Sequence, residues 1–141
     1  AIGRQQLERI GEILARRERN FRRLQQGLSA LDGVSVLDAT VPHAQNSFYC
    51  LTAVLEGDPG KRRDELVARL NAAGVGTSVY YPHPVPRLRY YREKYGYDPG
   101  RFPNAERISD SAIALPVGPH VAEEDMDSIA RAFAQALKEL T

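Results

Sequence analysis

The densest run of chemically capable side chains is Tyr80-Tyr81-Pro82-His83-Pro84-Val85-Pro86-Arg87, followed by Tyr90, Tyr91 and Tyr95. Phenol, imidazole and guanidinium groups on a proline-stiffened elbow present fixed hydrogen-bond donors and flat apolar faces. Such a surface suits a polar ring compound or a phosphate. The same tyrosines can also pack the short helix that follows against a sheet, and residue types alone favour that packing role.

Other chemistry finds little support. His43, His83 and His120 lie about forty residues apart, without Cys, Asp or Glu neighbours at metal-ligand spacing. Gly57-Asp58-Pro59-Gly60 reads as a turn and not as a phosphate-cradling glycine loop. No G-x-S-x-G elbow is present. Cys50, the single cysteine, sits among apolar residues and reads as a buried, inert thiol. Arg16, Arg17, Arg22 and Arg23 are interleaved with Glu8, Glu12 and Glu18, which reads as a solvated helix face and not as a phosphate or lipid site.

The elements that must position the elbow follow from periodicity. Residues 3–31 read as one long helix with an apolar stripe of Leu7, Ile10, Leu14, Phe21, Leu24, Leu28 and Leu31. Glu12–Arg16 and Glu18–Arg22 are favourably spaced ion pairs on its surface. Short strands are expected at 34–37, 47–56, 75–80 and 112–115, with loop over 38–46 and a turn at 97–100. Helices are expected at 61–73 (ended by Gly74), 88–95 (closed by Gly96), 104–111 and 122–140. Met126, Ile129, Phe133 and Leu137 mark the buried stripe of the last helix, and Glu123, Glu124 and Asp125 suit the dipole at its start. The expected fold class is α+β: a small, mostly antiparallel sheet covered by helices, with a long N-terminal helix, in a single domain over 1–141.

The bulk numbers bound the function. The 141 residues, 43% hydrophobic and 26% charged, suit one globular domain. A net charge of +1 argues against a general nucleic-acid binder, and no apolar run approaches the ~20 residues that span a bilayer. One cysteine and no signal-peptide pattern point to a cytoplasmic setting. The start at Ala-Ile-Gly, directly in helical sequence, points to a piece of a longer polypeptide.

Four stretches, in order, resemble the C-terminal domain of the DegT/DnrJ/StrS family of sugar aminotransferases: residues 1–10, Arg63-Asp-Glu-Leu66 with Gly74-Val-Gly-Thr77, Tyr80-Tyr-Pro-His-Pro84, and Phe102-Pro-Asn-Ala-Glu106 with Ile108-Ser109 and Ala114-Leu-Pro116. The resemblance implies the small domain of an aspartate-aminotransferase-type fold. In such a protein a large domain binds pyridoxal phosphate through a Schiff-base lysine, and the enzyme is a homodimer. An amino group passes, usually from glutamate, to a keto group of a nucleotide-linked sugar. It also implies that Tyr80 and Tyr81 line the substrate cleft. Pro86 stands where the family usually has His, which leaves His83 or Arg87 to supply the missing sugar contact. Lys61, Lys94 and Lys138 lie in polar helix positions outside the cofactor-lysine context. The expectation is therefore no catalytic residue, no cofactor-binding residue, no metal ligand and no activity in the isolated chain. A stand-alone α+β ligand-binding or regulatory module is the alternative.

Overall fold

A computed structural model describes residues 2–38, 41–98 and 100–140. Ala1, the loop residues Ala39 and Thr40, Pro99 of the expected turn, and Thr141 lie outside the described residues. Among the described residues three strands form one antiparallel sheet in the order β1 (Val34–Leu37), β2 (Leu51–Leu55), β3 (Ala112–Leu115). Val34 pairs with Leu55 and Leu37 with Thr52; on the other side Leu51 pairs with Leu115 and Val54 with Ala112. The helices among the described residues are α1 (Ile2–Glu8), α2 (Ile10–Leu28), α3 (Gly57–Lys61), α4 (Arg63–Ala72), α5 (Arg89–Tyr95), α6 (Pro103–Ser111) and α7 (Glu123–Lys138). The α+β class is as expected.

Strand alternation divides the sheet into two faces. Leu51, Ala53, Leu55, Ile113 and Leu115 face a core shared with Phe21, Leu24 and Leu28 of α2, Leu66 and Leu70 of α4, and Met126, Ile129, Phe133 and Leu137 of α7. Each such large side chain contributes about 1.5–3 kcal/mol when fully buried. The α2–α7 crossing is close because Gly27 has no side chain: a Cβ there would stand 2.7 Å from the Cβ of Ala130. Arg23 clamps the crossing by pairing with Asp127 (2.7 Å) and Glu123 (3.0 Å), and Arg19 also reaches Glu123 (3.0 Å). The arginine face read as solvated is thus partly a helix–helix ion-pair network. Glu12–Arg16 forms at 2.9 Å, whereas Arg22 turns to Asp38 (2.6 Å) instead of Glu18.

Four expected elements differ. The long N-terminal helix is interrupted at Arg9, which has φ −104° and ψ 3°, and its stripe is buried only from Phe21 onward; Leu7 is 68% and Ile10 44% exposed. Strand 47–56 is paired only from Leu51. Phe48 has φ +46°, and its N–H donates to the Asn46 side chain (2.8 Å), so local turn bonding replaces ladder bonding. Strand 75–80 shrinks to one bridge, Ser78 with Ala114 (3.1 and 2.8 Å), because β3 is short and Pro116 and Pro82 flank the pairing. Gly57–Lys61 is a single helical turn instead of a β-turn, with Pro59 in the first turn, where its missing N–H costs nothing. Gly74 ends α4 as expected, at φ +81°, with Val75 N–H returning to Leu70 O (2.9 Å). At the start of α7 Asp125 accepts the Ala122 N–H (3.2 Å), the half of a capping box that an alanine N-cap permits.

Candidate functional site

The second face of the sheet is covered only in part. Val54 is fully buried at the end where α3 and α6 pack on β2, while Leu37, Thr52, Ala112 and Ala114 are left to line an opening. There a cavity of about 420 Å³ opens, walled by Tyr49, Cys50, Val79, Tyr80, Tyr81 and Ile108. Its lining is largely hydrocarbon and aromatic with a few hydroxyls, the usual make-up of a small-molecule site.

The backbone irregularities build this site. The left-handed turn at Phe48 sends that ring into the core, 5.2 Å from Phe21, and leaves the neighbouring Tyr49 outside. Tyr49 meets Tyr80 with ring centroids 5.9 Å apart. The single Ser78–Ala114 bridge brings residues 79–81 across the end of the sheet and then releases them into the elbow. Pro84 is buried, and a 3-10 turn at Val85–Arg87 follows. Arg87 fastens the elbow to α6 through both oxygens of Asp110 (2.6 and 3.0 Å), with Glu106 at 3.7 Å. The Arg87 guanidinium holds the Asp110 carboxyl below its ordinary range, with smaller contributions from Arg63 and His83.

Of the four residues singled out in the sequence, Tyr80 and Tyr81 lie together on the cavity, 49% and 78% exposed. His83 is exposed on the elbow, and Arg87 faces a separate small depression with Arg92, Tyr97 and Glu106. The Tyr80 hydroxyl is pushed up to about 12, first by hydrogen bonding with Tyr49 and then by burial. It is therefore a neutral donor across the physiological range, not a phenolate.

Sequence reasoning missed Tyr49 and Arg17. Tyr49 lies inside the expected strand 47–56; the signal for its different role is Asn46-Ser47 before it, a side-chain turn former that stops strand pairing. Arg17 carries no distinguishing signal among its neighbouring arginines. Cys50, expected to be inert in a strand, is half-buried and lines the cavity, 3.8 Å from the Thr52 hydroxyl.

No lysine lines the cavity. Lys61 pairs with Asp58 (2.8 Å) and Lys94 contacts Tyr90 (2.9 Å), both at the surface. Among the described residues there is no cluster of metal-ligating side chains and no helix long and apolar enough to cross a membrane.

Known proteins resemble this chain throughout. It is 32% identical over 129 residues to the erythromycin biosynthesis sensory transduction protein EryC1 of Saccharopolyspora erythraea, covering 92% of this chain and 33% of that protein. It is 34% identical over 95 residues to the dTDP-3-amino-3,4,6-trideoxy-alpha-D-glucose transaminase of Streptomyces venezuelae, covering 67% of this chain and 23% of that one. The crystal structure of the aminotransferase TlmJ from Streptoalloteichus hindustanus superposes with a TM-score of 0.83 at 27% identity, over 99% of this chain and 36% of that chain. The chain therefore spans about a third of the length of such relatives. Residues 1–134 match the model of one family, and the chain belongs to the DegT/DnrJ/EryC1/StrS aminotransferase family.

Proposed function

We propose that this chain is the small domain of a pyridoxal-phosphate aminotransferase that moves an amino group, from glutamate, to a keto group of a nucleotide-linked sugar. The observation that carries the reading is the joint one: a family match across the chain, about a third of the relatives' length, and an aromatic cavity with no lysine in it. The cofactor supplies the electron sink for transamination when bound, and its lysine belongs to a large domain of the same polypeptide. The working enzyme is a homodimer.

The chain's own residues bind and orient. Tyr80 and Tyr81 form the substrate-side wall, and the neutral Tyr80 hydroxyl, its proton engaged by Tyr49, accepts from a sugar hydroxyl. Arg87, held by Asp110, fixes the elbow that carries His83, and His83 is the elbow's own sugar contact.

The test uses 15N-glutamate, pyridoxal phosphate and a panel of keto-sugar nucleotides. The longer polypeptide carrying this chain is expected to place 15N on one sugar, while the 141 residues alone transfer none. Transfer by the 141 residues alone, or none by the longer polypeptide with any sugar, overturns the proposal. A sugar that loses water without gaining nitrogen moves the reading to dehydration.

A further inference from the structure

Beside the aromatic cavity, and separated from it by the Tyr49–Tyr80 pair, lies a second concavity of about 370 Å³. Arg17 forms one wall, and Ser78, Gly76 and the Pro116–His120 segment form others. Arg17, Arg23, Arg63 and Arg69 are the half-buried arginines of the described chain. Arg23, Arg63 and Arg69 each have a carboxylate at 2.5–3.1 Å; Arg17 has none within ion-pair distance among the described residues. The Arg17 Nε is buried without a hydrogen-bond partner among the described residues, and no Asp or Glu lines the concavity.

A guanidinium held this way has a specific unmet demand. Its guanidinium carbon lies over the Tyr49 ring, 5.7 Å from the centroid, a contact that uses none of its N–H donors. A buried Nε–H without a partner costs the full desolvation of that donor, of the kind an anion's oxygen relieves. The planar fork matches a carboxylate or phosphate two atoms at a time. Around it stand further donors: the Ser78 hydroxyl and the His120 imidazole.

We infer that Arg17, with Ser78 and His120 around it, forms an oxyanion-binding site that takes a carboxylate or a phosphate. The site stands on its own geometry and does not depend on amino transfer, so the two proposals fail separately.

The experiment reads the arginine Nε–H resonances of the 15N-labelled 141-residue chain during titration with glutarate and, separately, with inorganic phosphate, at constant ionic strength set with chloride. The Arg17 Nε–H is expected to shift saturably with at least one of the two, while that of Arg23, already paired with Asp127, stays in place. Glutarate alone identifies a carboxylate site, phosphate alone a phosphate site, and either supports the inference. R17K is expected to weaken binding about tenfold, because a point charge replaces the fork, and R17Q to abolish it. No saturable shift with either anion, equal shifts at Arg23, or unchanged affinity in R17K overturns the assignment. Should a variant fail to fold, the wild-type titration decides alone.

Discussion

Asn20→Ala tests how the walls beside Tyr80 are held. Asn20 is 1% exposed on α2, and its Nδ2 donates to Gly118 O (3.1 Å) and Val121 O (3.0 Å), tying the 118–121 segment to that helix. The amide orientation is fixed, since the flipped form would set its oxygen against two carbonyl oxygens. Two hydrogen bonds at roughly 0.5–1.5 kcal/mol each give about 1–3 kcal/mol. The Asn20 Oδ1 is itself without a partner, so its removal offsets part of the loss and places the expectation near 2 kcal/mol. At about 3 °C per kcal/mol for a chain of this size, Tm falls by about 6 °C. Urea titration by circular dichroism gives the free energy, and hydrogen exchange of the Val121 N–H, bonded to Gly118 O at 3.1 Å, reports the segment itself. Asn20→Asp should cost more at neutral pH, because a carboxylate cannot donate, and should recover in part once protonated. A loss below 0.5 kcal/mol with unchanged exchange at Val121 would refute the reasoning.

Gly27→Ala is expected to cost about 1–3 kcal/mol by overpacking against Ala130; an unchanged urea midpoint would show that the α2–α7 crossing is not tight. Asp110 and Asp127 are held below their ordinary value of 3.8 by Arg87 and Arg23. Their stabilisation is therefore present above pH 3.8 and lost as pH falls from there toward the lowered folded values. Acid titrations of Asp110→Asn and Asp127→Asn should show a shallower loss over that window than the parent chain, and parallel curves would contradict it. Spectrophotometric titration should find one tyrosine ionising near 12, and Tyr49→Phe should bring it back toward 10. The apolar stripe exposed at Leu7 and Ile10 is expected to make the chain self-associate in sedimentation runs, with Leu7→Glu/Ile10→Glu monomeric; a strictly monomeric parent chain would contradict this.

The parts of the fold legible in the sequence are those where one periodicity dominates. Phe21, Leu24 and Leu28 in α2 and Met126, Ile129, Phe133 and Leu137 in α7 announce their own buried stripes, and they are core. The parts that differ are set by single local bonds. The Asn46 side chain outcompetes β pairing at Phe48, and Gly57-Asp-Pro-Gly60 can close a helical turn as readily as a β-turn. The candidate site suffers most from this, because it is built of such places. Tyr80 and Tyr81 stood out by type, but Tyr49 reaches them only because the strand is broken before Leu51. Arg87 stood out as a ligand-type residue; its bidentate bond to Asp110, 23 positions away, leaves it securing the elbow. Arg17 could not be told from its neighbours, because what distinguishes it is the carboxylate each of the other half-buried arginines has and it lacks.

The most direct test of the account is steady-state kinetics of the longer polypeptide with Tyr80→Ala, separating the KM for the keto-sugar from the rate of the glutamate half-reaction. The cavity wall is expected to matter to the sugar alone. KM should rise about tenfold, equivalent to about 1.4 kcal/mol of lost contact, with the glutamate half-reaction unchanged. An unaltered sugar KM, or an equal loss in both half-reactions, would contradict the placement of the substrate against this elbow.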